Sequence, residues 1–143
     1  MGNAFSLATL VAQGMLNATG LAEALGASPK IRIYSGTMPT DADTALAGNT
    51  QLAELVCAAT PLSGFSDTGT AARATFGTIT SDSSADATGT ATFFRIYASD
   101  GTTVKAQGSV GVATADLILN TVSITAGSTV SITSATIDLP KGP

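Results

Sequence analysis

The 143-residue sequence lacks several side chains on which many enzymes depend. It contains no histidine, no tryptophan and one cysteine, and only 11% of its residues are charged, against about 25% in a typical soluble domain. Without histidine, a serine hydrolase triad of the usual kind is excluded, and no imidazole is present to activate a thiolate at Cys57. We therefore expect no enzymatic activity, no catalytic residues, no cofactor and no bound metal.

The sparse charges also argue against nucleic acid and membranes as partners. The net charge is -4 at pH 7, and the six basic residues are scattered along the chain, whereas phosphate and anionic lipid binding require clustered Lys and Arg. The mean hydropathy of +0.35 comes from dispersed Ala, Val and Ile, with no apolar run of about 20 residues. The segment Ala4–Leu25 lacks the basic start of a signal peptide, and we interpret it as mature sequence.

The clearest pattern is the alternation of apolar and hydroxyl residues over 121–133. A period of two places Val122, Ile124, Val130 and Ile132 on one face of a sheet and Ser and Thr on the other. Two strands are expected here, one on each side of Ala126-Gly127. A surface of hydroxyl groups in place of Lys and Glu is typical of a protein that packs against neighbours.

The beginning of the chain predicts one amphipathic helix over Ser6–Leu25, because its apolar residues recur at a spacing of three and four. Ser6 or Asn3 is expected to cap its start, and Gly26 to end it. Internal glycines weaken such a helix, so its apolar stripe needs cover from the sheet or from another subunit. We assign residues 1–27 to an N-terminal helical arm and residues 28–143 to a β-sandwich domain.

About eight strands separated by short turns follow the helix, and no helices recur between them. The fold class expected is therefore mainly β, an antiparallel β-sandwich resembling a jelly roll, with one N-terminal α-helix. Residues 61–70 are expected to form a loop, and Asp100-Gly101 is the strongest hairpin signal. Pro140 and Pro143 are expected outside any ladder. The main strands are predicted at Lys30–Tyr34, Leu52–Cys57, Ala72–Ile79, Thr88–Tyr97, Thr102–Val110 and Ala135–Leu139.

Each chemically interesting residue also has a structural interpretation. Cys57 lies in an apolar run and is expected to be a buried small hydrophobe. Glu54 is the one acid inside an apolar strand, which makes it the best candidate for a glycoside hydrolase carboxylate, but we favour an ion pair with an arginine. The loop acids Asp41, Asp43, Asp82 and Asp86 do not fit an EF-hand spacing. Solvated carboxylates are favoured there, with a calcium site assembled from separate loops as the alternative.

Arg32 and Arg95 are predicted at mid-strand positions beside Tyr34 and Tyr97, and arginine is favoured at protein interfaces. Either these arginines contact another subunit, or they form cross-strand pairs with Glu54 or Asp116 inside the domain. Together with apolar residues of the predicted helix, they make up our set of candidate interface residues. This set is Leu7, Val11, Met15, Arg32, Tyr34, Arg95 and Tyr97.

Several segments resemble a group of small virion proteins encoded in the structural modules of tailed bacteriophages. These segments are Thr88–Gly101 (TGTATFFRIYASDG), Gln107–Gly111 (QGSVG), Ile31–Pro39 (IRIYSGTMP) and Ile124–Val130 (ITAGSTV). The resemblance spans most of residues 30–139, and its motifs are structural and not catalytic.

The resemblance implies a structural virion protein that is assembled in the host cytoplasm. Its partners would be the major capsid protein or other virion subunits, with homo-oligomers expected. A capsid decoration (cement) protein is favoured, since a small, weakly charged β-domain suits a repeating lattice. The alternatives are a neck, collar or tail component, a receptor- or carbohydrate-binding tail module, a glycan hydrolase using Glu54, and a secreted pilin-like or surface-layer protein.

Overall fold

The computed structural model describes residues 5–17 and 20–141. Within them the chain forms two short helices, α1 (Thr9–Asn17) and α2 (Leu21–Leu25). The strands are β1 (Ser6–Leu7), β2 (Lys30–Tyr34), β3 (Gln51–Cys57), β4 (Leu62–Asp67), β5 (Ala71–Phe76), β6 (Ile79–Thr80), β7 (Gly89–Thr90), β8 (Phe93–Tyr97), β9 (Val104–Gly111), β10 (Leu117–Leu119), β11 (Ser123–Ile124) and β12 (Ile132–Pro140).

The strands form one large curled sheet and one small ribbon. In the large sheet the order is β4-β5-β12-β10-β9-β8-β2-β3-β6, and β1 pairs with β9 beside this path; β7 and β11 make the ribbon. The prediction of a mainly β fold with a helical N-terminal segment is confirmed. The sheet is mixed and not purely antiparallel, because β9 and β10 run parallel over two residue pairs.

The prediction of a single helix over Ser6–Leu25 is wrong. Ser6 lies in β1, opposite Gln107 of β9, and Gly20 has extended backbone angles that separate α1 from α2. A strand position satisfies the backbone groups of Ser6 with ladder bonds, and glycine weakens a helix by about 1 kcal/mol. Gly26 does end α2, as predicted, with a φ of 77°. Asn3, Ala18 and Thr19 lie outside the described residues.

Strand boundaries differ from the prediction at the end of the sheet that contains β4, β5 and β12. The expected loop at 61–70 contains β4, the outermost strand beside β5. The strand predicted at Ala135–Leu139 is longer in the structure, since β12 runs without interruption through Ile132–Pro140. Pro140 is the last residue of this strand and lies opposite Ala71, which corrects its expected position outside the ladder. Pro143 lies outside the described residues.

The alternation over 121–133 is confirmed by burial. Ile124 and Val130 are fully buried, and Val122 and Ile132 pack partly buried against the same core. The regular strands are shorter than expected here, because Ser123–Ile124 is a two-residue strand and Val130 forms an isolated bridge.

The predicted hairpin is also confirmed. It joins β8 to β9, with Gly101 at a φ of 74°. The carboxylate of Asp100 accepts hydrogen bonds from the backbone N–H groups of Thr102 and Thr103, which closes the turn. Glycine is the residue that adopts a positive φ without steric cost, so Asp-Gly specifies this turn locally.

Apolar side chains pack on both faces of the large sheet. The main core includes Leu52, Leu55 and Phe94, and Leu25 of α2 also packs into it. On the other face a smaller cluster contains Tyr34, Phe93 and Tyr97. Residues 36–49, between β2 and β3, contribute Met38 and Leu46 to that cluster. We refer to these residues as the 36–49 loop.

Candidate functional site

An open apolar groove separates the N-terminal arm from one end of the large sheet. Here the arm means residues 5–17 and 20–25. The groove has a volume of about 490 Å³. Its walls include Leu7, Met15 and Leu21 of the arm, and Phe65, Ile137 and Leu139 of the sheet.

The sheet wall of the groove continues the face that forms the core. The register aligns Phe65 of β4 with Ala74 of β5 and Ile137 of β12, so their side chains point the same way. Ala74 and Ile137 are buried, whereas Phe65 is 74% exposed and Leu139 is 58% exposed. The core face of the sheet thus extends beyond the elements that cover it. Contiguous exposed apolar surface marks interaction sites in soluble proteins.

The free edge of β4 borders the groove, and two features limit its pairing with a further strand. The ladder with β5 shifts register between Leu62 and Gly64, and irregularities of this kind twist an edge strand away from new partners. At the other end of β4, Asp67 forms an exposed ion pair with Lys141 at 2.9 Å. Side-chain contact in the groove is therefore favoured over strand addition at this edge.

The structure separates the seven candidate interface residues into two groups. Leu7 and Met15 line the groove and are partly exposed, so their assignment to an interface stays a prediction. Arg32 is partly exposed. Contrary to the expectation of an exposed interface, the other four are buried within the fold and present no exposed surface to a neighbouring subunit. These four are Val11, Tyr34, Arg95 and Tyr97.

The tyrosines form a buried cluster with Arg32. The hydroxyl groups of Tyr34 and Tyr97 are hydrogen-bonded at 2.8 Å, and the ring of Tyr34 stacks on Phe93 at 5.3 Å. Burial, together with the hydrogen bond to Tyr97, raises the pKa of Tyr34 above its ordinary value. The guanidinium of Arg32 lies over the ring of Tyr97, 4.7 Å from its centroid. These residues stabilise the fold internally.

Arg32 also pairs with Glu54 across β2 and β3, which confirms the cross-strand alternative. The Nε of Arg32 donates to Oε2 of Glu54 at 2.7 Å, and its Nη1 donates to the carbonyl of Gly101 at 2.8 Å. Burial alone would lower the pKa of Arg32, but the hydrogen bond and charge of Glu54 have the larger combined effect. The pKa of Arg32 is therefore raised. Glu54 is thus half of an ion pair, as we favoured over a hydrolase carboxylate.

Arg95 is buried at 3% exposure and ties the 36–49 loop to the sheet. It donates to the carbonyls of Asp41 and Thr44 in the loop, and to Oε1 of Gln107 on β9 at 3.1 Å. Gln107 in turn donates to the carbonyl of Pro39 at 2.8 Å. The burial of Gln107 was not predicted, since a lone glutamine in a strand gives no signal of burial.

Asp116 was the other carboxylate considered as a partner for the mid-strand arginines. It is buried, and its carboxylate accepts hydrogen bonds from the backbone N–H and the hydroxyl of Ser109 at 2.9 and 3.0 Å. These contacts hold the short parallel pairing of β9 with β10.

The loop acids are used in internal hydrogen bonds. The carboxylate of Asp43 accepts from the backbone N–H of Thr9 at the start of α1. Asp41, Asp82 and Asp86 likewise accept hydrogen bonds from backbone or side-chain groups of the chain. Over residues 5–17 and 20–141, no three His, Cys, Asp or Glu side chains are grouped so that they could hold a metal ion.

Cys57 is buried in β3, as predicted, and desolvation raises the pKa of its thiol to about 12. Such a group is a thiol, and not a nucleophilic thiolate, at neutral pH.

No family model, curated protein or solved structure matches this chain. None of the helices in the described part of the chain is long and apolar enough to cross a membrane. The groove is therefore the feature on which a functional proposal is based.

Proposed function

We propose that this chain is a structural subunit of a tailed-phage virion, and that it acts as a capsid decoration (cement) protein. The observation that carries the proposal is the apolar groove with its exposed Phe65 and Leu139. A partner side chain or helix that fills the groove removes apolar surface from water, which stabilises an assembly by about 25 cal/mol per Å².

Two further features support this proposal. The segments that include Thr88–Gly101 and Ile31–Pro39 resemble small virion proteins. In addition, the charged fraction is low, and the side chains of Ser123, Thr125, Thr129 and Thr133 are exposed hydroxyl groups. Such a surface contacts neighbours at a small desolvation cost, because few charges lose their hydration. Many equivalent weak contacts on a lattice add up to strong retention.

The decisive measurement is the copy number and position of the chain in purified particles of the virus that encodes it. Quantitative mass spectrometry and cryo-electron microscopy are expected to find hundreds of copies spread over the head. Six or twelve copies at one vertex would assign the chain to the neck or tail instead. Complete absence from particles would refute the virion role.

A substitution in the groove tests the proposed contact directly. Phe65→Lys is expected to weaken binding to capsids at least about tenfold, because a buried aromatic contact is replaced by a charge. Val112→Lys is the matched control, since it also replaces an exposed apolar side chain (57% exposed) by a charge, at a position that does not line the groove. Binding is measured by co-sedimentation with particles stripped of this chain. Equal binding of the two variants would contradict the assignment of the groove as the contact.

A further inference from the structure

The N-terminal arm makes its contacts with parts of the chain that are distant in sequence. Ser6 and Leu7 pair with Gln107 and Ala106 of β9. The arm also contacts the 36–49 loop, where Ala42 packs in one cluster with Ala8 and Val11. β10 occupies the same edge of β9 only at Val110 and Gly111. The arm therefore occupies a binding site that is built by the rest of the chain.

A short connection joins the arm to the sheet. Four residues lie between the end of α2 at Leu25 and the start of β2 at Lys30. Within this connection Ser28 has a φ of 47°, and it is the one non-glycine residue with a positive φ in the described part of the chain. A positive φ is costly for an L-residue with a side chain. Opening the connection relieves this strain, and short strained connections favour domain swapping.

The arm is also incompletely covered within one chain. α1 contains no charged residue, yet Leu10 is 50% exposed and Leu16 is 89% exposed. A helix with apolar residues on several faces is typical of a buried position. The groove beside the arm shows, in addition, that its contact with the sheet is loose. The arm is therefore covered less completely by its own chain than the central strands of the sheet are.

We propose that the N-terminal arm exchanges between two copies of this chain, so that β1, α1 and α2 of each copy occupy the site formed on the other copy by β9, the 36–49 loop and the part of the core that Leu25 enters. The contacts in the exchanged dimer are those seen within one chain, and the strain at Ser28 is released in addition. Exchange of an identical element is a low-cost route to a two-fold dimer. This inference does not depend on a virion role, and the two can fail separately.

An engineered disulfide distinguishes the two arrangements. The backbone N–H of Ala8 donates to the carbonyl of Lys105 at 2.8 Å, so Leu7 and Ala106 form the adjacent pair without ladder hydrogen bonds. Such pairs have Cα atoms about 4.5 Å apart, a separation that a disulfide can span. The test variant is Leu7→Cys with Ala106→Cys, in a Cys57→Ser background. It links two chains when the arm is exchanged, and one chain to itself when it is not.

The control uses Thr75→Cys with Thr136→Cys in the same background. These residues are paired across β5 and β12, and neither strand belongs to the arm. Both variants are refolded over a range of concentrations, oxidised and separated on non-reducing gels. For the arm pair, a tenfold increase in total concentration is expected by mass action to raise the dimer-to-monomer ratio about tenfold where monomer predominates, and about threefold where dimer predominates. The control pair is expected to stay monomeric.

A second test needs no added cysteine. Ser28→Gly removes the cost of the positive φ in the closed form at both connections of a dimer, and is expected to raise the dissociation constant of the dimer about thirtyfold in analytical ultracentrifugation. The proposal is overturned if the oxidised arm pair is monomeric at every concentration. It is equally overturned if both cysteine pairs give the same amount of dimer, or if the original chain shows no dimer in the ultracentrifuge.

Discussion

At the scale of single residues, the most unusual feature is a buried arginine whose partners are mostly neutral. Arg95 contacts two loop carbonyls and the side chain of Gln107. The sequence indicated that a mid-strand arginine beside tyrosines has a specific partner, but it could not show that the partner is a loop backbone about fifty residues away. Backbone carbonyls leave no signature in a sequence, which is why the arginine was expected at an interface.

The truncation Arg95→Ala is expected to lower the free energy of unfolding by about 3 kcal/mol. It leaves a buried acceptor on Gln107 and two partly buried carbonyls of the 36–49 loop without their donor, and each loss costs about 1 kcal/mol. Chemical denaturation checks the value. Arg73→Ala is the control, because Arg73 pairs with Asp138 at a side-chain exposure of 40%, and such surface pairs contribute about 0.5 kcal/mol. Equal losses in the two variants would contradict the role given to Arg95.

At the scale of elements, the sequence predicted the turns and strands that are specified by adjacent residues. The Asp100-Gly101 hairpin and the alternation around Ile124 are specified by adjacent residues, and both were predicted. The later start of the N-terminal helix was missed because it depends on the edge of β9, which accepts Ser6 and Leu7 into the sheet. Likewise, β4 was expected to be a loop because its Gly and Ser content indicates a turn, and only pairing with β5 makes it a strand.

The start of α1 depends on a cap from a distant loop. Both carboxylate oxygens of Asp43 lie within 3.1 Å of the backbone N–H of Thr9, and the Thr9 hydroxyl donates to the same carboxylate. Asp43→Ala is therefore expected to destabilise the arm by about 1–2 kcal/mol, through loss of the cap and of a negative charge at a helix N-terminus.

Hydrogen exchange is the measurement for Asp43→Ala, because it separates the arm from the rest of the fold. Amide protection is expected to fall in residues 9–17 and to persist in β2 and β8. Asp43→Asn is the control, since its amide oxygen still accepts one hydrogen bond and most of the protection should be kept. Uniform loss of protection over the whole sheet would show that the cap stabilises more than the arm.

At the scale of the whole molecule, composition predicted the class of fold but did not predict the order and direction of the strands. Low charge and two-residue alternation indicated a mainly β protein. The strand order, the parallel β9–β10 pair and the groove depend on contacts between distant segments. The groove exists because β4, β5 and β12 extend past the arm, and no stretch of sequence records which part of a sheet face is left uncovered.

The dependence of stability on pH is a property of the whole molecule that composition and structure predict together. Without histidine, few groups titrate between about pH 5 and pH 8, so stability should be nearly constant there. On the acid side, hydrogen bonds from Arg73 lower the pKa of Asp138 to about 2. Backbone hydrogen bonds from Thr103 and Thr102 also lower the pKa of Asp100. As the pH falls, these two carboxylates are protonated in the unfolded chain near pH 4, and in the folded chain only at lower pH. The stability of the folded state therefore decreases below about pH 4.

At alkaline pH the dependence is opposite, and stability falls as the pH rises. Desolvation raises the pKa of Cys57 to about 12, and burial raises the pKa of Tyr34. The folded chain keeps protons that the unfolded chain releases above about pH 8.5 for Cys and pH 10 for Tyr. The stabilising contribution of these groups is therefore complete below about pH 8.5 and declines as the pH rises.

Urea denaturation midpoints measured across pH test both the acid and the alkaline decline in stability. Cys57→Ala should reduce only the alkaline decline and Asp138→Asn only the acid one, whereas a steep change near pH 6.5 would contradict the prediction.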